Sequence, residues 1–154
     1  MKRFGYIGRD DESKGLNNLI DVMTKIGKKY DTELYIFGSE HKPNSEKIIS
    51  MGWTPKEKIW STNFDYLVLP MIAPETFSLV LHEAESFNKK VIINEQNISL
   101  TSQVNDGAIY FNDNDSERTL EMVITYLLSQ SQESEKKLKL IKKKNLWDRL
   151  EKKY

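Results

Sequence analysis

Short apolar runs alternate with amphipathic stretches along most of the chain. Phe4 to Gly8, Glu33 to Gly38, Tyr66 to Pro70, Lys90 to Asn94 and Ala108 to Phe111 are rich in Ile, Val, Leu and Tyr, and several close on Gly, Pro or Asn. Runs of that length and composition predict buried strands. Between the first two, Leu16, Leu19, Ile20, Met23 and Ile26 recur at helical spacing, and Leu120, Val123, Ile124, Leu127 and Leu128 do so after the last. Each set gives a helix one apolar face. Ile48 to Trp53 reads as a further short strand, with Pro55 to Trp60 as a short helix behind it. Another helix is expected to open near Thr76 and to bury Phe77, Val80 and Leu81. Strands separated by helices pair in parallel through right-handed crossovers. The expected fold is therefore α/β, a doubly wound, Rossmann-like parallel sheet with helices on both faces. Ligands of such sheets sit beyond the carboxyl ends of the strands.

The length of 154 residues, with 38% hydrophobic side chains, suits one domain with a sizeable core. The formal charge of zero conceals a division. Residues 136–154 hold nine Lys or Arg against Asp148 and Glu151, so this tail is +7 and the preceding residues are −7. We divide the chain into a ligand-binding domain, 1–135, and a basic helical tail, 136–154. Leu140, Trp147, Leu150 and Tyr154 fall on one face of that tail. It is expected to pack on its own domain, with a partner or anionic lipid as the alternatives. Cysteine is absent, which excludes disulfides and thiolate metal sites. Neither a secretory signal nor a membrane-spanning run is evident, so a soluble cytoplasmic protein is expected, with peripheral contact at the inner membrane face if the tail binds lipid. Basic residues in the body are scattered without an aromatic stripe, which argues against nucleic acid as a partner.

Chemistry concentrates where the predicted strands end. Gly8-Arg9 follows the first strand, and Lys14-Gly15 opens the next helix. Glu75-Thr76-Phe77-Ser78 follows the strand ending at Pro70, and Glu83 lies eight positions beyond Glu75, roughly 12 Å of helix rise. A helix beginning near Thr76 leaves the amides of Phe77, Ser78 and Leu79 without intrahelical acceptors and adds partial positive charge. With Arg9 as a bidentate donor and Lys14 as a point charge, that end suits a phosphate or diphosphate. The two carboxylates would repel phosphate but accept well from hydroxyls. The ligand suggested is hydroxyls, then diphosphate, then hydroxyls, which is the layout of a nucleotide diphosphate sugar. His82 reads as packed or solvated rather than as a base, and Glu85 as an outward-facing helix residue. Asp113 and Asp115 read as helix caps rather than metal ligands, so no metal site is expected.

These segments, together with Ile36-Phe37-Gly38, Met51-Gly52-Trp53, Asp65 to Pro70, Glu83-Ala84, Lys90 to Ile93 and Asn145-Leu146-Trp147-Asp148, resemble the carboxy-terminal domain of group 1 retaining glycosyltransferases of the GT-B fold. The resemblance covers most of residues 4–130 in the expected order. It implies that Arg9 and Lys14 bind the donor diphosphate and stabilise the leaving group. It further implies that Glu75 lies near the transferred sugar, that Glu83 holds the ribose, and that the amides of Phe77, Ser78 and Leu79 cradle the distal phosphate. Thr54 falls where the family presents backbone to the nucleobase. No metal or other cofactor is implied. The activity implied is hexosyl transfer from a nucleotide diphosphate sugar, as in polysaccharide biosynthesis. The family's acceptor-binding amino-terminal domain has no counterpart here, so the isolated chain is expected to bind donor and to transfer poorly. The alternatives are a non-catalytic nucleotide-binding module, a subunit of a two-chain enzyme, or an epimerase of the same architecture.

Overall fold

The short apolar runs are realised, in the computed structural model, as strands of one parallel sheet among the described residues. The structure describes residues 1–8, 15–39, 45–71, 79–104, 107–112 and 118–130. Among these, the strands are β1 (Lys2–Ile7), β2 (Thr32–Phe37), β3 (Ile48–Gly52), β4 (Tyr66–Leu69), β5 (Lys90–Asn94) and β6 (Ile109–Phe111). They are joined or followed by α1 (Leu16–Gly27), α2 (Lys56–Ser61), α3 (Leu79–Ser86), α4 (Ile98–Thr101) and α5 (Arg118–Ser129). Every strand pair is parallel, in the order β3-β2-β1-β4-β5-β6. The chain thus winds outward from β1 in one direction and from β4 in the other. Right-handed crossovers place the helices of the two halves on opposite faces, and the doubly wound α/β expectation holds.

Side-chain alternation decides which residues meet on each face. Phe37, Leu67, Leu69, Val91 and Ile93 point to one side and pack with Trp60 of α2, Leu81 and Ala84 of α3 and Leu100 of α4. Phe4, Tyr6, Leu34, Ile36, Val68 and Ile92 occupy the alternate positions and are fully buried, as are Leu16 and Leu19 of α1. Strands buried on both faces read as the near-continuous apolar runs seen in the sequence. Full burial of each such side chain is worth about 1.5–3 kcal/mol.

The boundaries differ from the pattern in instructive ways. Gly8, Gly38 and Pro70 lie just beyond the strands they were expected to end, although the Gly8 amide still donates to the Phe37 carbonyl at 3.0 Å. The one-turn α4 was not anticipated, because four residues carry too little periodicity. It is announced instead by Asn97, whose side chain accepts from the Leu100 amide at 3.1 Å.

The chain divides into two units, Met1–Val123, which contains the whole sheet, and Ile124–Tyr154. The described part of the second is the end of α5, where the Ser129 hydroxyl donates to the Tyr126 carbonyl at 2.9 Å. The expected basic tail, 136–154, lies outside the described residues. No helix among the described residues is long and apolar enough to cross a membrane.

Candidate functional site

The strand order reverses direction between β1 and β4, and in open parallel sheets a crevice forms outside the carboxyl ends at that reversal. Gly15, which caps α1, adopts a left-handed φ of 72°, and a β-carbon there would lie 3.1 Å from the Pro70 carbonyl oxygen. Only glycine lets the start of α1 approach the exit of β4 so closely. One strand over, Gly38 has φ 88°, donates its amide to the Gly52 carbonyl at 2.8 Å, and would place a β-carbon 3.0 Å from the Gly8 carbonyl oxygen. Gly8, Gly38 and Gly52 therefore leave the carboxyl edge of β1, β2 and β3 as bare backbone.

Among the described residues, the helix ends at this edge carry few groups that would oppose an anion. Among these same described residues, no side chain caps α1, and neither α1 nor α3 has an acidic residue in its described first turn. The unsatisfied amides and the dipole make that end of α1 electropositive. Asn97 is buried and donates its side-chain amide to the Met71 carbonyl at 3.0 Å, which fixes the point where the chain leaves β4.

Glu83 lies in the middle of α3. Its carboxylate is gripped from two sides: Oε1 lies 2.6 Å from the Lys56 ammonium, and Oε2 accepts from the Trp60 indole N–H at 2.9 Å. Only 16% of the Glu83 side chain is exposed, against 56% for Lys56. Trp60 is itself immobilised, stacked on Phe87 at 5.6 Å and tilted against Phe64 at 6.2 Å. Thr54, two residues before Lys56, donates its hydroxyl to the Gly52 carbonyl at 3.1 Å, which shapes the turn out of β3. Trp53, between them, is 84% exposed. Leu79 is exposed at the start of α3 as described.

Of the residues singled out in the sequence, Thr54, Leu79 and Glu83 are thus placed, each on a segment that follows the carboxyl end of β3 or β4. Arg9, Lys14, Glu75, Phe77 and Ser78 lie outside the described residues, as do Asp113 and Asp115. The segments that carry the first five leave the sheet after β1 and β4, at the reversal. The sequence pattern does not mark Lys56 and Trp60 as partners of Glu83. Lys56 and Trp60 carried no signal beyond a short helix, since their link to Glu83 spans 27 and 23 positions of chain. Trp53, in the Met51-Gly52-Trp53 segment that carries the resemblance, directly follows a strand-ending glycine and has no core to enter. Glu85 corrects the outward-facing expectation: it is half-buried and lines a depression of about 380 Å³ with Lys89, Lys90 and Val104, beside the start of β5 and the residues leading into β6. That depression is at the amino edge of the sheet, opposite the crevice.

No curated protein matches the sequence. Among solved structures, the fold is similar to HepE from Anabaena in complex with UDP and glucose, with TM-score 0.68 and 16% identity over 86% of this chain and 40% of that one. It is similar to the carboxy-terminal domain of the group 1 family protein LpcC from Francisella tularensis, with TM-score 0.69 and 21% identity over 86% of this chain and 78% of that one. It is also similar to sucrose-phosphate synthase from Thermosynechococcus elongatus, with TM-score 0.66 and 19% identity over 84% of this chain and 36% of that one. The chain spans less than half of HepE and of the synthase, but most of the LpcC domain. The model of the family described as glycosyl transferases group 1 matches residues 2–147, so the chain belongs to the group 1 glycosyl transferases.

Proposed function

We propose that this chain is the donor-binding half of a retaining glycosyltransferase, which passes a hexosyl group from a nucleotide diphosphate sugar to an acceptor held by an amino-terminal domain or a partner chain. The observation that carries the reading is the Glu83 carboxylate, held firmly on α3 in the half of the sheet beyond the reversal point, in a chain of the group 1 family. HepE, which shares the fold, was solved with UDP and glucose.

In this reading Glu83 accepts from the ribose hydroxyls, the turn through Thr54 faces the nucleobase, and Glu75 stands by the sugar. Arg9, Lys14 and the amides of Phe77, Ser78 and Leu79 surround the diphosphate. Breaking the bond between the anomeric carbon and the diphosphate oxygen leaves negative charge on the diphosphate. Fixed cations and oriented amides favour that charge in the transition state, and the scheme uses no metal. The amino terminus of α1 adds to the same field. With the acceptor held by an amino-terminal domain or a partner chain, this donor-binding half binds the donor but does not transfer by itself.

Isothermal titration of the folded chain with UDP, GDP and ADP tests this. Saturable binding of at least one is expected. Binding by none of the three, in protein with an intact cooperative unfolding transition, overturns the reading.

A further inference from the structure

The carboxylate of Glu83 is prepared from two directions by one short helix. Oε1 receives the ammonium of Lys56, the first residue of α2, and Oε2 receives the indole N–H of Trp60, one turn later. A carboxylate offers about four lone-pair sites, two on each oxygen. The two protein donors take one site on each and leave one on each. Trp60 is buried between Phe87 and Phe64, so the direction of its N–H is set by ring packing rather than by solvent. Lys56 is more than half exposed, and its charge balances that of Glu83. A carboxylate as covered as this one would otherwise be costly to desolvate beside an incoming diphosphate.

We propose that Lys56 and Trp60 are positioning residues that fix Glu83 as a two-point acceptor for vicinal hydroxyls, so that α2 sets the preference for a ribonucleotide donor over its 2′-deoxy counterpart. The inference rests on Glu83 facing the ribose, as proposed above. Two adjacent hydroxyls fill one remaining site on each oxygen. A deoxyribose fills one and leaves the other carboxylate oxygen with its protein donor alone, so one charge-assisted hydrogen bond is lost in a largely buried setting. Hydrogen bonds to charged groups are strong enough for that loss to be about tenfold in affinity.

The experiment is isothermal titration with whichever of UDP, GDP and ADP the unmodified chain binds most tightly, and with the 2′-deoxy form of the same nucleotide. The unmodified chain should favour the ribonucleotide by about tenfold. Lys56→Met should lower ribonucleotide affinity about tenfold while moving the 2′-deoxy form much less, so that the ratio falls toward one. Trp60→Phe, which removes the donor but keeps a ring between Phe87 and Phe64, should narrow the ratio in the same sense. Lys56→Arg should restore it. A ratio unchanged in both Lys56→Met and Trp60→Phe overturns the proposal, as does a rise in ribonucleotide affinity on losing Lys56, which would make the ammonium a competitor. If the unmodified chain binds a nucleotide but does not distinguish the 2′-deoxy form, this proposal falls and the donor-site reading stands. If it binds no nucleotide, the donor-site reading itself falls and takes this one with it.

Discussion

The two edges of the sheet are built on opposite electrostatic plans. At the amino edge, cations are tied to the carbonyls where helices end. Lys47 donates to the Gly27 and Tyr30 carbonyls, the latter at 3.1 Å, just where α1 stops. Lys89 donates to the Phe64 carbonyl at 3.0 Å, after α2, and sits 4.5 Å from the Phe64 ring centre. Arg3 pairs with Glu33 at 3.0 Å, and its backbone amide donates to Asp65 at 2.9 Å. At the carboxyl edge, β1, β2 and β3 end at or just before glycine, no described side chain caps α1, and Trp53 and Ile98 are exposed. Helix dipoles point their negative ends at the first edge and their positive ends at the second. Among the described residues, the first edge is neutralised internally and serves stability, whereas the second keeps helix amino termini that favour an anion.

This contrast can be broken most severely where the open edge depends on geometry. Gly15→Val forces a branched residue into a left-handed conformation and against Pro70. It should cost about 2–3 kcal/mol in urea unfolding and should also weaken nucleotide binding, because the start of α1 must move. Retained stability together with retained affinity would show that the close approach is dispensable. Lys89→Met tests the other edge. Losing a charged donor to the Thr62 and Phe64 carbonyls and the contact with the Phe64 ring should cost about 1–2 kcal/mol and leave nucleotide affinity unchanged. A fall in affinity with no fall in stability would reverse the assignment of the two edges.

The smallest expected effect concerns Tyr66, which lies under the Lys2 and Lys90 ammoniums near the amino edge. Burial, and then the charge of Asp65, raise its phenol pKa above the ordinary value. The folded chain holds that proton more tightly than the unfolded chain. The associated stability is therefore complete below the ordinary phenol range near pH ~10 and is lost as pH rises through the raised folded value. Tyr66→Phe should flatten the alkaline limb of the stability profile. An unaltered limb would show that other groups dominate it.

Much of the architecture was legible because it rests on local chemistry. Residues such as Leu67 and Leu69 cannot face water, and their spacing fixes which face they share. The helical recurrence from Leu16 to Ile26 is likewise a property of the chain alone, and α1 follows it. Glu83 could be picked out because a carboxylate on a core-facing helix is unusual. Its partners could not be picked out. Nothing local says that Lys56 and Trp60 reach it, since that depends on the crossover from β3 through α2 to β4 and on how α3 then packs. Gly8 and Gly38 read as strand ends and Gly52 as part of a short strand, but their alignment into a bare edge follows from the register of three parallel strands.

By itself, then, the sequence determined the repeated strand and helix pattern, the parallel doubly wound class and the helix that carries Glu83. Each of these follows from periodicity and from the cost of exposing apolar surface or burying polar groups. The tertiary structure decided that the sheet reverses between β1 and β4, that Gly15 meets Pro70 there, and that Glu83 is held from two sides by α2. Those are contacts between segments distant in the chain, and such contacts are set by packing rather than by local preference.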